Sequence, residues 1–210
     1  MMNLEEYIDH HITPEDPVLH ELFRQTHLRT VNPHQVSGHR LGSLLTLISQ
    51  MMQPHYVLEI GTFTGYASIC LARGLQDGGE LHTIESNEEL HEMALQYFNK
   101  AGVASKIKIL HGNALNIIPT LPYQYDLVFI DSEKKDYLTC YQLVFDKVKA
   151  GGIILADNVL WYGQVADPSC QDATTRALRT FNLYVRNDPR VTVTILPLRD
   201  GLSIIRKNEE

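Results

Sequence analysis

Cysteine is scarce in this chain: Cys70, Cys140 and Cys170 are the whole complement, and no CxxC spacing occurs. An odd, scattered set excludes a disulfide scaffold and a cysteine-built zinc site. The three are expected as reduced thiols, with Cys70 and Cys140 in the core. Long apolar runs are missing too, none approaching the roughly 20 residues that span a bilayer. The N-terminal MMNLEEYIDHH has neither the basic region nor the apolar stretch of an export signal. A cytoplasmic location without a membrane partner is the expectation. Ten histidines are present, but no HxxxH or HExxH pair, so zinc-hydrolase chemistry lacks its ligand pattern. Repeats, low-complexity tracts and Pro/Gly/Ser-rich linkers are also lacking. The 210 residues are therefore read as a single domain, large enough to bury its own core.

Positive charge is in deficit. With 18 Lys and Arg against 25 Asp and Glu, the net charge is −7, which gives no general attraction to nucleic acid or anionic lipid. One segment runs the other way. Between Leu22 and Val57 there is no acid at all, while Arg24, Arg29, Arg40, His27, His34, His39 and His55 all occur. Its plain reading is a helical surface that lacks acids; its functional reading is a basic lip for an anionic substrate.

The first fifty or so residues read as helices. Thr13-Pro14-Glu15-Asp16 resembles a helix start, with a cap, an early proline and early acids. Leu41, Leu44, Leu45 and Ile48 mark one face of a helix over 38–52. The period then changes. Short apolar runs at 55–61, 80–86, 106–112, 125–131, 151–158, 191–197 and 201–207 read as seven strands. Helical segments alternate with the first five (66–75, 88–101, a short one near 113–118, and 135–148), and another over 174–187 precedes the sixth. That alternation predicts an α/β fold with a mostly parallel sheet covered on both faces. Only Leu198-Arg199-Asp200 joins the last two runs, so the final strand is expected antiparallel to its neighbour. The division is a helical cap over 1–52 and an α/β core over 53–210.

In such a sheet, ligands bind beyond the C-terminal strand ends. The loop after the first strand, Glu59-Ile60-Gly61-Thr62-Phe63-Thr64-Gly65, lets backbone turn sharply at Gly61 and Gly65. It is not the dinucleotide GxGxxG, because Phe63 replaces the second glycine. Glu85 ends the second strand, where a carboxylate can accept from both ribose hydroxyls of a nucleoside; alternatively, it is an acid at a helix start. Asn113-Ala114, in the loop after the third strand, is placed to wrap an adenine. The fourth strand ends in Asp131 and the fifth in Asp157-Asn158. Neighbouring strands lie about 4.8 Å apart, so these acids converge. Two carboxylates and an amide make an all-oxygen set suited to Mg²⁺, Mn²⁺ or Ca²⁺; the plain alternative is a turn and a helix cap.

EIGTFTGYAS, Glu85, FIDSEKKDY, DNVLWYG and LPLRDGLSIIRK, in that order, resemble the cation-dependent O-methyltransferases, a family including caffeoyl-CoA and catechol O-methyltransferases. The resemblance covers roughly 36–207. It implies the class I S-adenosylmethionine-dependent methyltransferase fold: a seven-stranded sheet, mostly parallel with an antiparallel last strand, and an N-terminal helical cap. It implies S-adenosylmethionine and a divalent cation, Mg²⁺ foremost, as cofactors, and a homodimer. Asp131, Asp157 and Asn158 correspond to metal ligands. Ser37, Glu59, Gly61, Phe63, Gly65, Glu85, Asn113, Ala114 and Asp131 correspond to the cofactor site. Ala67 stands where many members carry a cofactor-binding serine, with Ser68 beside it. Lys134 corresponds to the general base, close to Asp131, although Lys135 is adjacent. The expected acceptor is a hydroxylated aromatic small molecule with vicinal oxygens. A hydroxylated uridine of tRNA is the alternative, favoured only by the acid-free segment. A non-catalytic nucleoside-binding protein would leave Asp131 and Asp157-Asn158 without a use.

Overall fold

A computed structural model describes residues 2–209. Its strands are β1 (Tyr56–Ile60), β2 (Glu80–Glu85), β3 (Ile107–His111), β4 (Tyr125–Ile130), β5 (Val148–Ala156), β6 (Val191–Leu196) and β7 (Leu202–Lys207). They form one sheet in the order β3-β2-β1-β4-β5-β7-β6. The first five pair in parallel, and β7 runs antiparallel to both β5 and β6. This is the mostly parallel sheet with a reversed last strand that the patterning predicts.

Alternation along the strands divides the core between the two faces. Val57, Leu127 and Phe129 point to one side, against buried residues of α3 (Gly38–Met52), α4 (Tyr66–Ala72) and α5 (His91–Lys100). Leu58, Val128 and Ile130 point to the other, against α7 (Tyr137–Phe145) and α8 (Ala173–Asn187). The period-two flip of side chains requires this two-layer cover. A short helix, α6 (Ala114–Ile117), follows β3. No described helix is long and apolar enough to cross a membrane.

The cap consists of α1 (Leu4–His11), α2 (Pro17–Arg29) and α3. Helix α2 starts later than Thr13-Pro14 suggests. Pro17 forces Asp16 into an extended conformation (φ −59, ψ 135), so Asp16 becomes the cap and accepts from Val18 N at 2.8 Å. The cap is fastened to the core through polar bonds: Tyr66 OH donates to Glu15 at 2.5 Å, Arg73 pairs with Asp16 at 2.9 Å, and buried Thr26 meets Thr64 at 2.9 Å.

Strand β5 begins at Val148, three residues before the expected start. Gly151, at φ +76, sits in an irregularity where the register with β4 jumps from Val148 to Ile153. The glycine pair therefore marks a bulge inside the strand rather than its beginning. The helix expected over 135–148 correspondingly stops at Phe145.

Candidate active site

The strand ends on the carboxyl side of β1, β2 and β4, with the turns beyond them, border a cleft of about 1340 Å³. That exceeds the roughly 300–1,000 Å³ of a typical ligand pocket. Gly61, Phe63, Glu85, Asn113, Ala114, Asp131, Lys134 and Asn158 all line the cleft. Ser37 and Ala67 border an adjoining narrow crevice with Gly61, Phe63 and Asp131. Glu59, Ser68 and Asp157 are buried behind these walls, and Gly65 packs on Phe98.

Gly61 is at φ +104, and a side chain there would run into the Asp131 carbonyl. Only glycine lets β1 turn this close to the end of β4. The turn then presents Phe63 N to Glu85 Oε2 at 2.8 Å, while Asn87 N donates to Glu85 Oε1 at 2.8 Å. Glu85 steadies the start of the next helical turn and also lines the cleft. Each oxygen keeps a lone pair for a further donor.

Glu59 is fully buried. Its Oε2 accepts from Thr83 at 2.5 Å and from Ser68, and Thr62 donates to Thr83 at 2.5 Å. Its Oε1 has no partner. Burial pushes this carboxyl up to about 8, against the opposing pull of the Ser68 and Thr83 hydroxyls. Ser68 therefore spends its hydroxyl on Glu59 inside the core, and Ala67 has none to offer the cleft.

The acids lie where the register demands. Asp131 N donates to Ile60 O at 2.9 Å and Asp157 N to Ile130 O at 3.1 Å, which extends the parallel ladder one residue into each acid. Asp157 is 1% exposed, and neither of its carboxylate oxygens has a hydrogen-bond partner. Burial, reinforced by the nearby Asp131, holds it above the usual carboxylate range; Arg199 and Lys134 oppose this. A buried carboxylate with two idle oxygens is costly unless a cation meets it. Asn158 follows at φ +58, a left-handed position that asparagine tolerates. Among the described residues, no three His, Cys, Asp or Glu side chains gather for a metal. The present set is two carboxylates and one amide, and its hard oxygen chemistry fits a divalent cation.

Lys134 turns inward, where its Nζ donates to Asp131 Oδ1 at 2.9 Å and to Tyr137 OH at 2.7 Å. The Tyr137 hydroxyl in turn lies 2.9 Å from Asp157 O and 3.2 Å from Ile130 O, tying both acid-bearing strand ends to the lysine. Lys135 is exposed and away from the cleft. Of the two lysines, only Lys134 is placed to meet a ligand.

Motif reading passed over Tyr137 and Arg199. Arg199 reaches the cleft from the β6–β7 turn, 3.6 Å from Asp157. Its presence in LPLRDGLS was visible, but its distance from the other motifs hid the contact. The acid-free segment is partly cancelled in three dimensions: Arg40 pairs with Asp9 at 2.6 Å and with Glu5 at 3.7 Å, acids supplied by α1. Arg29 and His34 alone of its basic residues border the cleft.

Comparison with known proteins agrees with this architecture. The chain matches the model of an O-methyltransferase family over residues 9–208. It is 34% identical over 180 residues to caffeoyl-CoA O-methyltransferase 2 of Petunia hybrida, covering 79% of this chain and 74% of that protein. The O-methyltransferase TomG of Streptomyces achromogenes, involved in tomaymycin synthesis and solved with SAM, superposes with a TM-score of 0.91, at 31% identity over 100% of both chains. An O-methyltransferase of Bacillus cereus solved with SAH gives 0.90 at 26% identity, covering 98% of this chain and 97% of that one. Fold and strand-end loops define a methyltransferase of the S-adenosylmethionine-dependent architecture. The chain belongs to the O-methyltransferase family and is an enzyme of that class.

Proposed function

We propose that this enzyme transfers the methyl group of S-adenosylmethionine to one of two vicinal hydroxyls on a small aromatic acceptor, with a divalent cation held by Asp131, Asp157 and Asn158. The observation that carries this reading is Asp157: a buried carboxylate with two unpartnered oxygens, beside Asp131 at the end of the neighbouring strand. The caffeoyl-CoA O-methyltransferases among the relatives and the bound SAM and SAH of the structural neighbours support it.

The cofactor supplies an activated methyl on a sulfonium. Glu85 would accept from its ribose hydroxyls, Gly61 would let the backbone approach it, and Asn113-Ala114 would hold its adenine. Asp131, Asp157 and Asn158 would hold a divalent cation, which would supply Lewis-acid chemistry that favours the deprotonated hydroxyl. Lys134, held by Asp131 and Tyr137, is the side chain placed to take the hydroxyl proton, as the neutral amine left once its own ammonium proton has passed to solvent. Much of the rate then comes from holding oxygen, methyl and leaving sulfur in line, which converts a bimolecular encounter into a positioned one.

The test is acceptor scope. Catechols should be methylated and monophenols should not, because a single oxygen cannot engage the acids' site twice. Efficient labelling of bulk tRNA with catechols inert contradicts the reading in favour of an RNA acceptor.

A further inference from the structure

Arg199 occupies the turn between β6 and β7 at φ +50, a backbone region that favours glycine. The turn is fixed in place: Gly201 N donates to Leu198 O at 2.9 Å, Val159 N to Gly201 O at 3.0 Å and Leu160 N to Asp200 O at 2.9 Å. The last two bonds join it to the residues that immediately follow Asp157-Asn158. Its side chain is 26% exposed; Nη1 donates to Ser37 O at 2.6 Å and lies 3.6 Å from Asp157 Oδ2. Lys134 stands in the same relation to Asp131, at 2.9 Å. Each acid at the two strand ends therefore has a basic side chain of the chain's own beside it.

We propose that Arg199 is an internal counter-cation that weakens divalent metal binding at Asp131, Asp157 and Asn158, so that the β6–β7 turn sets the enzyme's metal affinity. The inference rests on the metal reading given above. The Arg199 guanidinium is a planar cation held at the Asp157 carboxylate. Beside Asp157 it stabilises the buried anion, and it repels any second cation drawn to the same oxygens. Water screens that repulsion poorly in so buried a setting. The bond to Ser37 O anchors the guanidinium to the start of α3, so it is not free to swing away.

Calorimetric titration with Mn²⁺, without methyl donor or acceptor, tests this on the full chain. Arg199→Gly suits the backbone angle and removes the charge. Arg199→Gln removes the charge and keeps a donor for Ser37 O, so a folding defect in one variant leaves the other to decide. Both should bind Mn²⁺ at least tenfold more tightly than the wild type, Arg199→Lys should stay within a few-fold of it, and Asp157→Ala should bind none. Melting with and without Mn²⁺ gives a second readout: the ion should raise the Tm of the charge-free variants more than that of the wild type. Affinities equal to wild type in the charge-free variants, with Asp157→Ala silent, overturn the role of Arg199 and leave the metal site standing. No heat and no Tm shift in any protein overturns the metal site as well.

Discussion

Burial decides what individual acids do here. Glu59 illustrates it: its carboxyl, ordinarily near 4.5, is pushed up to about 8 by burial. The folded state therefore holds a proton that the unfolded chain releases near 4.5. The stability this contributes is fully present below that value and is lost as pH rises through about 8. Glu59→Gln, which stays neutral, should gain on the wild type over that window. Between acid and mildly alkaline melts, the Tm difference should move by at least about 2 °C in the variant's favour. A difference that is flat with pH contradicts a protonated Glu59. Glu85 is half-buried, with each of its oxygens accepting from a backbone N–H. Glu85→Ala should weaken binding of the demethylated cofactor by about 1.5–3 kcal/mol for each ribose hydrogen bond lost. Calorimetry reads this directly, and unchanged affinity would reduce Glu85 to a loop-steadying acid.

At the scale of elements, the β1–α4 turn carries Gly61 and Phe63 up against the end of β4 that bears Asp131. Gly61→Ala forces a side chain into the Asp131 carbonyl at a φ of +104. It should lower stability by about 1–3 kcal/mol, seen as an earlier urea midpoint with unchanged slope. A midpoint equal to wild type would mean that β1 and β4 separate freely at that end. Most elements were legible because period two and period 3.6 are distinct signals: the seven apolar runs each became a strand, and α3 covers the expected residues. The misses have local causes. Pro17 delays α2, and the Gly151-Gly152 pair hides the beginning of β5 inside a bulge. Asp131 and Asp157 were legible as neighbours because parallel strand ends must converge. Arg199 was not, since no periodicity reports which turn folds over which strand end.

For the molecule as a whole, charge bears on the choice of acceptor. The net charge is −7, and the one basic segment is partly cancelled, with Arg40 consumed by Asp9 and Glu5 of α1. A molecule charged in this way has little to offer a phosphate backbone. Catechol turnover should therefore change little between low and physiological salt, whereas phosphate contacts would make it fall steeply. A steep fall would point to an anionic acceptor gripped near Arg29 and His34. A cation requirement at Asp131, Asp157 and Asn158 is read from methyl transfer to a catechol in Mg²⁺ and in EDTA, with Asp157→Ala alongside. Transfer should proceed in Mg²⁺, stop in EDTA and return with excess Mg²⁺; Asp157→Ala should stay at background while still melting cooperatively. An undiminished rate in EDTA, or an active Asp157→Ala, contradicts it.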